Sequence, residues 1–138
     1  MIKKYVLTEN ELDKLVAEFL DNFKNGVVIL KGDLASGKTT LVKEFVSYLD
    51  IKEDVTSPTF SLQHIYGEKI FHYDLYNKGL EHFISMGMLE EFEKDGLHFV
   101  EWGNEELEEL LKDAGIFVAT IDIGKISFDK REYKVCIN

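Results

Sequence analysis

The chain has 138 residues, the size of one domain with a single hydrophobic core. Hydrophobic residues make up 45% and charged residues 30% of it, which excludes an intrinsically disordered chain, and no apolar run is long enough to span a membrane. The formal net charge of -10 results from 26 acidic and 16 basic residues, and such a surface repels the backbone of a nucleic acid.

The predicted elements alternate between helices and strands, with turn residues between them. Thr8 and Glu11 have the spacing of a capping box, which predicts the start of the first helix. In chain order, the predicted elements are a helix over 9–23, a strand over 27–30, a glycine loop over 32–37, a helix over 41–49, hairpin strands over 60–65 and 70–75, a helix over 80–94, a strand over 97–100, a helix over 105–112, and strand-like segments over 116–123, 125–128 and 132–137.

The strongest motif is Gly32-Asp33-Leu34-Ala35-Ser36-Gly37-Lys38-Thr39, which matches the phosphate-loop pattern G-x-x-x-x-G-K-[ST]. Its glycines let the loop wrap a phosphate chain with backbone N–H groups pointing inward, and the following helix adds the positive end of its dipole. Lys38 is predicted to bind the β- and γ-phosphates, and the hydroxyl of Thr39 to bind Mg²⁺. The sequence therefore predicts a nucleotide phosphate site.

The phosphate loop between a strand and a helix predicts an α/β fold. We expect a P-loop NTPase-like three-layer sandwich, in which helices cover both faces of a central sheet that mixes parallel and antiparallel strands. The whole chain, 1–138, is predicted to form a single domain of this type.

An acidic side chain at a neighbouring strand end is needed to hold magnesium, and two candidates follow apolar runs. Asp74 follows Ile70-Phe71-His72-Tyr73, and Glu101 follows Leu97-His98-Phe99-Val100. We expect at least one of them to bind Mg²⁺, while Glu101 could also polarise the attacking water; the sequence does not assign the two roles. The segment Thr56-Ser57-Pro58-Thr59 either contacts the γ-phosphate, as switch loops do, or forms a turn before a strand, which its composition favours.

The remaining chemistry-bearing residues give weaker signals. The four histidines lack the spacing of metal ligands, so we interpret them as core or surface residues: His64, His72, His82 and His98. Trp102 directly follows Glu101, where its ring would cover a nucleotide, contact a partner or pack in the core.

Four motifs together resemble the TsaE family (also called YjeE), the small bacterial ATPases of tRNA threonylcarbamoyladenosine synthesis. They are Gly32-Asp33-Leu34 to Lys38-Thr39-Thr40, Val55-Thr56-Ser57-Pro58-Thr59-Phe60, His72-Tyr73-Asp74-Leu75-Tyr76 and Glu101-Trp102. The resemblance extends over the whole chain in length and motif order. It implies a protein that binds ATP and Mg²⁺, hydrolyses ATP weakly alone, and acts with TsaB and TsaD in the tRNA N6-threonylcarbamoyladenosine (t6A) modification. It further implies that tRNA is reached only through that complex.

The resemblance also implies the roles of individual residues. Lys38, Asp74 and Glu101 would act in catalysis, and Thr39, Asp74 and Glu101 would hold Mg²⁺. The nucleotide-binding residues would be Gly32, Asp33, Leu34, Ala35, Ser36, Gly37, Lys38, Thr39, Thr40 and Thr59.

Two positions depart from the family pattern. The usual G-D-L-G-A-G-K-T has Ala35 and Ser36 at its fourth and fifth positions here, which predicts a slightly stiffer loop. The arginine that often follows D-L-Y is Asn77, so any charge-stabilising role would fall to Lys78 or to a partner.

Other functional classes remain as alternatives. A small-molecule or nucleoside kinase is disfavoured because Arg131 is the only arginine in the chain and no insert is long enough for a lid. A non-catalytic nucleotide-binding adaptor would bind ATP without turnover. A GTPase is disfavoured because Leu80 stands where the guanine-reading N-K-x-D motif has Asp. With a single cysteine and no apolar signal core at the start, we expect a cytoplasmic location and no membrane contact.

Overall fold

A central seven-stranded sheet organises the computed structural model, which describes residues 1–33, 35–55, 62–77 and 79–137. The strands are β1 (Ile2–Thr8), β2 (Gly26–Lys31), β3 (Gln63–Tyr66), β4 (Ile70–Asp74), β5 (Leu97–Glu101), β6 (Val118–Lys125) and β7 (Lys130–Ile137). The α-helices are α1 (Leu12–Asn22), α2 (Lys38–Tyr48), α3 (Gly79–Ser85) and α4 (Glu105–Asp113), with short 3₁₀ helices at Glu9–Glu11 and Met88–Glu93.

The strand order is β1-β7-β6-β2-β5-β4-β3. The four inner strands β6, β2, β5 and β4 are parallel to one another. At the two ends of this block, β7 pairs antiparallel with β6 and β3 pairs antiparallel with β4. The predicted mixed α/β sheet is therefore confirmed. In register, Glu101 is paired with Leu30 on β2 and with Asp74 on β4, so the carboxyl ends of three parallel strands meet at one edge.

Hydrophobic side chains cover both faces of the sheet, which gives the predicted three layers. On one face, Phe45 of α2 lies between Phe19 of α1 and Phe99 of β5, with ring centroids 5.4 and 4.8 Å away. On the other face, Leu107 and Leu111 of α4 are buried in a second cluster together with residues of α3 and of the 3₁₀ helix Met88–Glu93. Burial of such apolar surface is the main force that holds the helices on the sheet.

Side-chain caps define two of the helix starts. The carboxylate of Glu11 accepts hydrogen bonds from the backbone N–H and the hydroxyl of Thr8, at 3.0 and 3.1 Å, which confirms the predicted capping box. The side chain of Asn104 accepts from the backbone N–H of Leu107 at 2.9 Å and so begins α4 directly after the turn that follows β5.

Three predictions of secondary structure are wrong. The sequence pattern predicts no element before residue 9, but the described chain begins with β1, an edge strand that pairs with β7. The predicted helix over 80–94 is two shorter elements, because Gly87 adopts a left-handed conformation with φ 73° between them. Segment 125–128 is not a separate strand, since β6 continues through Gly124 to Lys125 before the turn to β7. The first part of the predicted strand over 60–65 lies outside the described residues.

No helix in the described parts of the chain is both long and apolar enough to cross a membrane.

Candidate functional site

The site lies where the carboxyl ends of β2, β4 and β5 meet the start of α2. A cavity of about 550 Å³ opens at this edge of the sheet. Its lining combines the phosphate loop with the two acidic strand ends and comprises Ala35, Ser36, Gly37, Lys38, Thr39, Thr40, Asp74, Tyr76, Asn77, Glu101, Trp102 and Arg131.

The phosphate loop depends on left-handed backbone at three positions. Gly32 has φ 154°, and a Cβ placed on it would lie 2.5 Å from Ser36 Oγ and 2.8 Å from the carbonyl oxygen of Ile123, so only glycine fits. Gly37 has φ 111° and is the N-cap residue directly before α2. Ala35, which carries a Cβ, also has a positive φ of 61°. This conformation costs about 1 kcal/mol for a residue with a Cβ, so the loop carries local strain.

Lys38 is folded back onto the loop. Its Nζ donates hydrogen bonds to the carbonyl oxygens of Gly32 and Asp33, at 2.7 and 3.0 Å. The same Nζ lies 4.0 Å from the ring centroid of Trp102, a cation–π distance. Burial lowers the pKa of Lys38, while the nearby carboxylates of Glu101 and Asp74 oppose that shift. The ammonium group is thus partly desolvated and held by neutral partners, which an anion can replace.

Glu101 is buried, with only 4% of its surface exposed, and two donors converge on one of its oxygens. The hydroxyl of Thr39 donates to Oε2 at 2.8 Å, and Nε2 of His72 donates to the same oxygen at 2.5 Å. His72 is itself fully buried, and its Nδ1 has no hydrogen-bond partner among the described residues. A buried carboxylate is costly without such donors, so these contacts fix the position of Glu101 beside the phosphate loop.

Asp74 lies next to Glu101 at the end of the neighbouring strand and is more exposed to the cavity. Its Oδ1 accepts a hydrogen bond from the backbone N–H of Tyr76 at 2.9 Å. The ring of Tyr76 in turn lies 4.8 Å from that of Trp102. Trp102 has a left-handed φ of 64°, which turns the chain sharply after Glu101 and places its ring over Lys38.

Most of the predicted site residues come together in this cavity. Lys38, Thr39 and Thr40 line it together with Asp74 and Glu101, and Ala35, Ser36 and Gly37 form the loop around it. Gly32 and Asp33 contribute through their carbonyl oxygens, which hold Lys38. Leu34, Thr59 with its segment 56–59, and Lys78 lie outside the described residues.

Two site residues were not predicted from the sequence. His72 is buried, as the interpretation of it as a core or surface residue allows, but it also contacts Glu101. It lies two residues before Asp74 on one strand, which places both side chains on the same face and is a signal that the sequence contains. Arg131 was noted only as the single arginine, but its Nε donates to the carbonyl oxygen of Ser36 at 2.6 Å. No local pattern marks Arg131, because its contact spans 95 residues of sequence.

A second cavity, of about 380 Å³, adjoins the first on the side of the 3₁₀ helix Glu9–Glu11. Its lining is Thr8, Glu9, Asn10, Gly37, Thr40, Phe128, Asp129, Arg131 and Tyr133. The two cavities share Gly37, Thr40 and Arg131 in their linings, so they adjoin at the start of α2.

The donor set suits a phosphate chain with Mg²⁺. Thr39, Asp74 and Glu101 offer hard oxygen ligands, which Mg²⁺ prefers over nitrogen or sulfur. The described residues contain no group of three or more His, Cys, Asp or Glu side chains that could hold a metal ion alone. A magnesium ion here would therefore need phosphate oxygens to complete its shell, which is how Mg²⁺ is bound in nucleotide sites.

Comparisons with known proteins show which family the chain resembles in sequence and fold. The family model described as "Threonylcarbamoyl adenosine biosynthesis protein TsaE" matches residues 6–133. A protein of Treponema pallidum named tRNA threonylcarbamoyladenosine biosynthesis protein TsaE is 35% identical over 115 residues, covering 81% of this chain and 82% of that protein. The protein of the same name from Bacillus subtilis is 34% identical over 113 residues, covering 74% and 70% of the two chains.

The crystal structure of Bacillus subtilis YdiB superposes with a TM-score of 0.69 at 25% identity, covering 100% of this chain and 88% of that one. The fold, the order of the motifs and these matches lead to one assignment. The chain belongs to the TsaE family of threonylcarbamoyl adenosine biosynthesis proteins.

Proposed function

We propose that the protein is a Mg²⁺-dependent ATPase that supports the t6A modification of tRNA by acting with TsaB and TsaD. The observation that carries the ATPase proposal is the contact between Thr39 of the phosphate loop and Glu101, beside the buried ammonium group of Lys38. Membership of a family named for tRNA threonylcarbamoyladenosine biosynthesis supports the biological setting.

Phosphate binding is assigned to Lys38 and to the N-terminus of α2. The ammonium group would exchange the carbonyl oxygens of Gly32 and Asp33 for β- and γ-phosphate oxygens. Burial penalises the charge of Lys38 in the absence of an anion, so a phosphate would stabilise the protonated amine and gain affinity from it. The backbone N–H groups at the start of α2 add further donors and the positive end of the helix dipole.

Magnesium binding is assigned to Thr39 and Glu101, since these two oxygen donors already lie 2.8 Å apart. Bound Mg²⁺ would neutralise phosphate charge and polarise the γ-phosphate. Asp74 is assigned to the attacking water, because it lies one strand further from the phosphate loop and is open to the cavity. Each carboxylate then has its own role, which the sequence left open.

The second cavity supports a nucleotide rather than a simple polyphosphate as the ligand. A phosphate chain that ends at Lys38 would continue past Thr40 into this space, where ribose and base would lie near Thr8–Asn10 and Tyr133. Hydrolysis would remove the γ-phosphate contacts and so change the surface that a partner complex meets.

The first experiment measures ATP hydrolysis by the pure protein, alone and with its cognate TsaB–TsaD pair. We expect low turnover that rises with the pair and falls about 100-fold or more in Glu101→Gln. Glu105→Gln is the matched control, because Glu105 is an exposed acid on α4 near the same strand end. Lys38→Ala should lose nucleotide binding itself.

The other outcomes distinguish the alternatives. ATP binding without turnover, even with the pair, would indicate a non-catalytic adaptor. Phosphate transfer to a nucleoside or small metabolite would indicate a kinase. Turnover that is equal in wild type, Lys38→Ala and Glu101→Gln would refute the assigned site.

A further inference from the structure

Arg131 is the single arginine of the chain, and its guanidinium group contacts the phosphate loop although the residue lies on β7, the last strand in chain order. It belongs to β7, where its Cα partners are Leu7 on β1 and Lys125 on β6. Because Leu7 is buried, Arg131 shares the face of the sheet that α1 and α2 cover. Its half-buried side chain reaches the loop, where Nε donates to the carbonyl oxygen of Ser36 at 2.6 Å.

Arg131 forms no close ion pair within the described part of the chain, although Glu9 and Asp129 line the second cavity with it. The ion pairs there involve lysines and His72, and none includes Arg131. The hydrogen bond to Ser36 uses Nε, which leaves the two terminal nitrogens of the guanidinium fork for another acceptor. An unpaired, half-buried guanidinium beside a helix N-terminus is a site that a phosphate oxygen would complete.

The position of Arg131 indicates which phosphate it would meet. Together with Gly37 and Thr40 it lines both cavities, so it lies where the two cavities adjoin. Lys38, Thr39 and Glu101 line the first cavity and not the second, so the terminal phosphates would bind in the first cavity. Glu9 and Asp129 line the second cavity, where carboxylates would repel phosphate but can accept hydrogen bonds from ribose hydroxyls.

We propose that Arg131 is a nucleotide-binding residue that holds the α-phosphate of the nucleotide where the two cavities adjoin. This inference rests on the proposed nucleotide-binding function. The α-phosphate is common to ATP and ADP and gains no charge when the γ-phosphate leaves, so the contact contributes to binding and not to the hydrolysis step.

The test compares Arg131→Gln, Arg131→Lys and the control Lys134→Gln by calorimetric titration with Mg-ATP and Mg-ADP, together with kcat for ATP. Lys134 is exposed on the same strand, its side chain lies on the opposite face, and its substitution removes the same charge. Arg131→Gln should lower the affinity for ATP and for ADP by the same factor of about ten, while its kcat stays within about twofold of the wild-type value. The affinities of Arg131→Lys for both nucleotides should lie between those of Arg131→Gln and wild type, and Lys134→Gln should bind both as wild type does.

Three results would overturn the inference about Arg131. They are unchanged affinities in Arg131→Gln, a loss confined to ATP, and a fall in kcat with unchanged affinity. Thermal unfolding without nucleotide shows whether Arg131→Gln folds. If it does not, the affinities of Arg131→Lys for Mg-ATP and Mg-ADP decide, and wild-type affinities in that variant would reject the contact between Arg131 and the α-phosphate. Failure of the proposed function looks different, because the wild-type protein itself would then bind neither nucleotide.

Discussion

His72 shows how a single buried side chain can fix the orientation of a carboxylate in the candidate site. Its Nε2 and the hydroxyl of Thr39 share Oε2 of Glu101, so the other carboxylate oxygen is held in one orientation. A ligand to a metal is commonly oriented by a group of this kind behind it. His72 is therefore a positioning residue in the proposed mechanism, acting through Glu101 without touching the nucleotide.

Replacement of His72 by alanine should lower kcat for ATP about 10- to 100-fold, since Glu101 would lose one donor and its fixed orientation. The KM for Mg-ATP and the affinity for ADP should change little, because Lys38 and the phosphate loop remain. The measurement is steady-state kinetics combined with ADP titration.

Two further variants separate positioning by His72 from a general loss of packing. His72→Gln retains an N–H donor and should recover part of kcat. His64→Ala removes a half-buried histidine that contacts Tyr66 on β3, and it should leave kcat unchanged. Equal kcat values in His72→Ala and His64→Ala would show that the contact with Glu101 has no role in turnover.

At the scale of elements, a chain of hydrogen bonds joins β3, β4 and β5 to the 3₁₀ helix Met88–Glu93. Nε2 of Gln63 donates to Glu91 at 3.0 Å and to the hydroxyl of Tyr73 at 3.1 Å. The Tyr73 hydroxyl donates to Nδ1 of His98 at 2.7 Å, and Nε2 of His98 donates to the carbonyl oxygen of Lys94 at 2.8 Å. Burial lowers the pKa of His98, and in the neutral ring Nε2–H donates to Lys94 while Nδ1 accepts from the Tyr73 hydroxyl.

The network predicts that stability depends on pH through His98. An unfolded histidine binds a proton near pH 6.5, whereas the folded protein holds His98 neutral to lower pH, so the unfolded state binds more protons in that interval. The free energy of unfolding should therefore fall as pH falls below about 6.5, by at most about 1.4 kcal/mol per pH unit from this residue.

Urea unfolding at pH 7.5 and pH 5.5 measures this effect in wild type, His98→Gln and His82→Gln. The difference between the two pH values should be smaller in His98→Gln than in wild type, and His82→Gln should retain the wild-type difference. An identical pH dependence in wild type and His98→Gln would show that His98 is not held neutral by the fold.

The same scale shows where sequence patterns suffice and where they do not. The strand β2, the phosphate loop and α2 were predictable because glycine spacing and a continuous apolar strand are local signals. Strand β1 was not predictable, because it lies at an edge of the sheet and Leu7 is its one buried residue. Its sequence therefore shows no alternation of apolar and polar residues. The partners of His72 and Arg131 lie 29 and 95 residues away, so only the sheet register brings them to the site.

At the scale of the whole molecule, the net charge of -10 is concentrated in one stretch. Glu90 to Asp113 contains ten acids and only two lysines, and α4 presents Glu105 and Glu109 to solvent. Glu108 is the exception there, since it forms ion pairs with Lys31 and Lys112 at 3.6 and 2.9 Å. This surface cannot neutralise phosphates along a nucleic acid, although it would attract a basic protein surface.

We therefore predict that the isolated protein does not bind tRNA, and that tRNA is reached only through the proposed partner complex. Fluorescence anisotropy with labelled tRNA at about 50 and 200 mM salt should show no binding tighter than about 10⁻⁴ M, which is the weak limit of non-specific binding. The TsaB–TsaD pair, measured in parallel, should bind the tRNA, and adding the protein should not compete with it. Binding by the protein alone that strengthens steeply as salt is lowered would reveal a cationic surface that the charge distribution argues against. In that case the acidic surface of α4 would have to face away from a separate tRNA site, and the proposed role in tRNA modification would no longer require the partner complex to bring the tRNA.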